Sequence, residues 1–289
     1  MKSSLGARAA LVSLFVLGLI LACWQIATLP KREASHTTMT AEQIEYAKLM
    51  GQPTPDQRAT QRHDGFPTPS QFFAVAADNL AHPFYDRGPN DKGIGIQLGW
   101  SLLRVSGGYL LAALFAIPFG FLIGMSPLLY RAFDPFIQLL KPISPLAWMP
   151  IALYTIKDAS TSAIFVIFIC SVWPMLINTA FGVANVRKDW LNVARTLEVA
   201  PLRKAFQIVL PAAAPTILTG MRISMGIAWL VIVAAEMLVG GTGIGYFVWN
   251  QWNNLSLPNV IFAVLLIGVV GMLLDLMFAR IQRKVTYAE

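Results

Sequence analysis

Six apolar runs, at about residues 10–28, 99–125, 136–156, 161–184, 212–238 and 257–279, constrain this chain more than any other feature. They approach or exceed the ~20 residues needed to cross a ~30 Å hydrocarbon core. The chain is 56% hydrophobic and only 13% charged over 289 residues, more apolar surface than a soluble fold of this size can bury. In hydrocarbon every backbone polar group needs an internal partner, and runs this long and uniform meet that need as helices rather than barrel strands. The expected fold is therefore all-α: a polytopic membrane protein with six transmembrane helices.

Organisation follows from the polar stretches between the runs. Residues 1–29 hold a short tip and the first helix, 30–97 a long external loop, and 98–289 a core of five further helices. Within 30–97, the segment TAEQIEYAKLM has helical propensity, with Thr40 as a cap, so short helices along the membrane surface are expected. Ile20-Leu21-Ala22-Cys23 resembles a lipoprotein cleavage site only poorly, and a retained first helix is expected. Cys23 and Cys170 both fall in apolar runs and read as packing residues.

Basic residues set the orientation. The net charge is +7, and Arg187, Lys188, Arg195, Arg203 and Lys204 crowd the connection 185–211. Lys2 and Arg8 precede the first run, and Arg280, Arg283 and Lys284 follow the last; the connection between runs five and six has no Lys or Arg. The positive-inside rule places both termini and 185–211 in the cytoplasm. This distribution, without a basic patch interleaved with aromatics, speaks against nucleic-acid binding.

The loop 185–211 is itself patterned. Leu191, Ala194 and Leu197 recur three apart, so 188–200 reads as a short amphipathic helix whose apolar side could lie in a partner's groove. Pro201 ends it by excluding the α region at Ala200. No G-x-x-x-x-G-K-[ST] motif occurs, so any ATP used must be bound by another chain.

Run three carries Lys141, Pro142, Ser144, Pro145 and Pro150. Each interior proline removes a helix hydrogen bond, and a broken helix at membrane depth is tolerated only where it faces protein or a wet cavity. Arg104, Arg222 and Glu236 are charges inside runs, costly in lipid, and should face the bundle interior. Arg104 and Glu236 belong near the same external end, and an ion pair between them is expected. Arg222 has no obvious acidic partner at its depth. It could attract an anion, snorkel, or bond carbonyls freed by the broken segment. Gly241-Thr242-Gly243-Ile244-Gly245 lacks the strand–helix context of a phosphate loop. His36, His63 and His82 lack metal-ligand spacing, and no metal site is expected.

Asn192-Val193-Ala194, Glu198 and Ile208-Val209-Leu210-Pro211 fall at the spacing E-A-A, three residues, G, nine residues, I-x-L-P. That pattern resembles the cytoplasmic coupling loop of ABC-importer permeases, with Asn192 for its Glu and Glu198 for its Gly. Because that Gly makes the turn between two short helices, the resemblance leaves Pro201 to supply the break. From about Phe66 to Ala279 the chain resembles permeases of the nitrate/sulfonate/taurine/bicarbonate class, most of all the nitrate branch. The residues that carry this include SLLRVSGGYLLAALFAIPFGFLIG, LKPISPLAWMPIALYTIKD and LPAAAPTILTGMRISMGIAWLVIVAAEMLVGGTGIGYFVWNQWNN.

The resemblance implies a permease, not an enzyme, that moves a small inorganic anion, nitrate or nitrite first, across the bacterial inner membrane by alternating access. Bicarbonate, cyanate or a sulfonate such as taurine are its alternative cargoes. It implies a second copy of the chain, two cytoplasmic ATP-binding subunits that hold ATP and Mg, and a periplasmic or lipid-anchored binding protein. Asn192, Val193, Ala194, Arg195, Thr196, Leu197 and Glu198 would couple to the ATPase. Arg104, Lys141, Ser144, Arg222 and Glu236 would line the pathway. An ion-coupled secondary transporter is the competing class, but no internal repeat supports it.

Overall fold

The computed structural model describes residues 2–28, 66–88 and 91–285, with side chains from Arg8 onward. The helix expected at 40–50, together with His36 and His63, lies outside the described residues. Two compact units divide the chain: Met1–Ala81 with Leu255–Phe262, and His82–Asn254 with Ala263–Glu289.

The first unit contains α1 (Lys2–Ala27), α2 (Pro69–Ala81) and the first turns of α11 (Leu257–Val285). Beyond Arg8, α1 is apolar all round and exposes nearly every side chain, as a helix solvated by lipid does. Trp24 donates its indole N–H to Pro67 O at 2.9 Å and stacks near Phe66 and Phe72, and Asn79 donates to Asn259 at 2.9 Å.

The second unit holds α3 (Ile94–Met125), α4 (Pro127–Leu140), α5 (Pro145–Ile156), α6 (Ala159–Ala184) and α7 (Lys188–Thr196). It continues through α8 (Pro201–Lys204), a π turn (Ala205–Val209), α9 (Leu210–Val239), α10 (Ile244–Asn253) and the body of α11. The core lies where α6 packs between α3 and α9. Backbones approach closely there: a Cβ on Gly120 would lie 2.7 Å from Leu176 O, so only glycine fits. Asp158 caps α6 by accepting from Thr161 N at 2.7 Å, and the Thr161 hydroxyl and amide hold its carboxyl below the usual range.

Among the described residues five helical stretches are long and apolar enough to span a membrane: Arg8–Ala27, Ile94–Met125, Ala159–Ala184, Pro201–Val239 and Leu257–Val285. The third expected helix, 136–156, is not one helix. It divides between α4 and α5, which are bent 88° apart, and the count reaches six only if that pair is taken as one span. Pro142 sits in the break, and Pro145 starts α5 at a position where a missing N–H costs nothing. Pro150 lies inside α5 without ending it. Among the described residues no strand forms; the one bridge pairs Asp86 with Lys92. The connection after run five carries α10 beyond its glycine-rich loop.

Candidate functional site

Gln97, Ser101 and Arg104 follow one another at intervals of four and three residues, so they share one face of α3. That face meets Glu236 near the end of α9, which is only 2% exposed. Arg104 Nη1 donates to Glu236 Oε1 at 2.8 Å and to Thr242 O, while its Nε donates to Ser160 Oγ at 2.9 Å. The Ser101 hydroxyl donates to Glu236 Oε2 at 2.7 Å and accepts from Ile244 N at 2.8 Å. Gly245 N donates to Glu236 Oε2 at 3.1 Å, and Gly243 N to Gln97 Oε1 at 2.6 Å.

The expected Arg104–Glu236 pair therefore forms, as the centre of a larger cluster. Its polar side chains satisfy the free amides at the start of α10, where the helix dipole favours a carboxylate. The glycine-rich loop serves this closure and not a phosphate: a Cβ on Gly243 would collide with the Glu236 carboxylate. The cluster ties α3, α6, α9 and α10 together. Ser101, Gln97 and Ser160 escaped the sequence reading, although the 97–101–104 spacing was a usable signal.

Arg222 behaves otherwise than expected. Its Nε and Nη2 donate to the two carboxylate oxygens of Asp275 on α11, both at 2.6 Å. The sequence offered no partner at this depth because 53 residues separate the two. So Arg222 is already neutralised by a bidentate partner, which removes it as the free charge for an anion. A single change to Met at Arg222 should lower the thermal midpoint of the solubilised permease only slightly, because both side chains of the pair are partly exposed and Asp275 can turn to water. The double variant R222M/D275L should restore it and keep ATP-dependent uptake. Loss of uptake in a stable double variant would return Arg222 to the pathway.

Lys141 stands at the elbow between α4 and α5, beside a cavity of about 570 Å³. Ser144 occupies the N-cap of α5, exposed, without a side-chain cap bond. Lys141 and Ser144 are thus at the break, whereas Arg104 with Glu236 and Arg222 with Asp275 form two separate pairs. Among the described residues no group of three or more His, Cys, Asp or Glu gathers to hold a metal.

The segment 188–204 forms two short helices, as its pattern predicts, but the face and the turn are both different. Ala194 is buried, and Leu191 packs against the cluster formed by Val183, Val186, Val209, Ala213 and Ile217. These residues anchor α7 to its own bundle instead of offering it to a partner. The exposed apolar stripe is instead Trp190, Val193 and Leu197, at 44%, 58% and 70% exposure, joined by Leu202 and Phe206. Asn192, Arg195 and Thr196 lie exposed beside the stripe.

The turn sits at Glu198, not at Pro201. Glu198 has φ +48°; its N–H donates to Arg195 O at 3.1 Å and Val199 N to Ala194 O at 3.0 Å. That is a left-handed helix cap of the kind glycine usually makes. Pro201 merely opens α8. Glutamate in this conformation is strained, so E198G should stabilise the segment by about 0.5–1 kcal/mol after the added freedom of the unfolded chain is deducted. Hydrogen exchange of the α7 amides should slow by about two- to fivefold; unchanged exchange would show that no strain is stored there.

The family model described as "Binding-protein-dependent transport system inner membrane component" matches residues 116–287. The nitrate import permease protein NrtB of Synechocystis sp. is 46% identical over 223 residues, 77% of this chain and 81% of that protein. The bicarbonate transport system permease protein CmpB of the same organism is 47% identical over 207 residues, 71% of this chain and 74% of its own length. Among solved structures, the inward-facing MetNI methionine ABC transporter aligns with a TM-score of 0.59 at 15% identity, covering 65% of this chain and 94% of that one. The chain belongs to the inner-membrane components of binding-protein-dependent transport systems, the permeases of ABC importers.

Proposed function

We propose that this chain imports a small inorganic anion, nitrate first, as the permease subunit of an ATP-driven transporter. The observation that carries the substrate is the 45–46% identity to nitrate import permeases over three quarters of the chain. Bicarbonate is the second reading, on the 47% identity to a bicarbonate permease. Both cargoes are small, planar and singly charged oxyanions.

The working assembly is two copies of this chain, two ATP-binding subunits that hold ATP and Mg, and an external binding protein. Both termini and the α7–α8 element lie in the cytoplasm, in keeping with the excess of Lys and Arg there. The exposed stripe Trp190, Val193 and Leu197 supports docking in an ATPase groove. Leu191 would transmit the movement, since it roots α7 in the cluster that includes Val209 and Ala213 of the α9 region. Closure of the ATPases would draw the two coupling elements together and open the bundle outward; hydrolysis would reset it.

The deciding experiment is uptake of labelled nitrate by the full complex in proteoliposomes, with binding protein outside and bicarbonate, cyanate and taurine as competitors. ATP-dependent nitrate uptake is expected. ATP-dependent uptake of bicarbonate alone would transfer the assignment to the second reading. Flux without ATP would overturn the mechanism.

A further inference from the structure

We infer that the cavity at the α4–α5 elbow is the compartment through which the oxyanion leaves toward the cytoplasm, with Lys141 as its attracting charge. This rests on the anion-import reading above and adds to it a place and a residue.

The position of the cavity comes first. Its aliphatic wall includes Ile123 in the last turns of α3 and Ile177 toward the end of α6. Those are the ends of the helices nearest the 185–211 loop in the chain, the end of the bundle that carries α7 and α8. The compartment therefore lies at that end of the bundle, far along α3 from Arg104.

Its polar lining comes from one helix. Tyr130, Asp134, Gln138 and Lys141 follow at intervals of four, four and three residues, which places them on one face of α4. Gln138 Nε2 donates to Asp134 Oδ2 at 2.7 Å, so the carboxylate is held by an amide. Among the described residues the Lys141 ammonium has no ion-pair or hydrogen-bond partner; only its backbone N–H is engaged, donating to Ile137 O at 3.0 Å. Of the three basic residues expected along the route, Arg104 and Arg222 are neutralised by Glu236 and Asp275. Lys141 is the one left to meet an anion. The first amides of α5, which has no side-chain cap, begin just beyond Pro142 and add partial positive charge at the same break.

The chemistry suits release and not capture. At about 570 Å³ the compartment has room for several waters beside an oxyanion, so an oxyanion there keeps most of its hydration. A lone ammonium on a flexible stem attracts without enclosing. The Asp134 carboxylate in the same compartment opposes deep binding. Transport requires a site favourable enough to enter and weak enough to leave, and this pair of opposite charges supplies both conditions.

The test uses the full complex in proteoliposomes, with labelled nitrate as the probe. K141Q should lower the rate of ATP-dependent uptake about tenfold, while the amount of bound ATPase and its stimulation by binding protein stay unchanged; K141R should restore most of the rate. In a C23S/C170S chain, K141C should react with an anionic methanethiosulfonate from the ATPase side, and nitrate should slow that reaction where gluconate does not. The labelling result decides if K141Q fails to assemble. Full uptake by K141Q, or labelling indifferent to nitrate, overturns the proposal. Absence of ATP-dependent anion uptake in the unmodified complex would instead remove the import reading on which it stands.

Discussion

Replacing Glu236 by Ala is expected to lower the stability of the permease by about 3–5 kcal/mol, the cost of leaving a buried charge without its partner. Arg104 would lose its counter-ion, and the Gly245 amide and the Ser101 hydroxyl would each lose the carboxylate they donate to. None of these groups can turn to water, because Ser101 and the Glu236 site are almost wholly buried. E236Q should fall between the two. Its amide keeps one acceptor oxygen but turns a donor toward groups that are themselves donors. R104K should also destabilise, since one ammonium cannot reach Glu236, Ser160 and Thr242 together as the guanidinium fork does. Thermal unfolding of the solubilised permease measures the series in the order wild type, E236Q, E236A. Equal midpoints for wild type and E236A would mean that the cluster does not hold α10 in place.

The way these groups were and were not legible in the sequence follows from how far each partner lies along the chain. Spans, basic loops and the proline-broken run depend on composition within a few turns, and all were readable. The Arg104–Glu236 pair was readable too, because antiparallel helices place the two residues at the same end. Asp275 lies within run six, but pairing it with Arg222 needs the rotation of α9 against α11, which is set by packing. The face of α7 was misread for a related reason. Leu191, Ala194 and Leu197 satisfy the helical period, but so do Trp190, Val193 and Leu197; only the tertiary cluster around Val183, Val209 and Ala213 decides which set turns inward. Glu198 was expected to spoil a glycine turn and instead adopts the left-handed conformation, held by the two backbone bonds of the cap.

That division of α7 into two faces gives the second large effect. The double variant W190A/L197A should reduce ATP-dependent uptake to a few per cent of wild type while leaving the permease as stable as before. Both side chains are largely exposed in the isolated chain, and surface substitutions of that kind change stability by about 0.5 kcal/mol or less. At an interface, however, a buried aromatic anchor costs ~2 kcal/mol or more when truncated, which weakens ATPase binding by about 30-fold. L191A should do the reverse: it removes packing against the Val183–Val209 cluster and lowers the thermal midpoint, while the docking stripe stays chemically intact. Co-purification of the ATPase, uptake and the melting midpoint, measured on both variants, separate the two faces. If W190A/L197A retains its ATPase and transports normally, the exposed stripe is not the contact. If L191A loses its ATPase with no change in midpoint, the partner meets the side of α7 that the bundle covers.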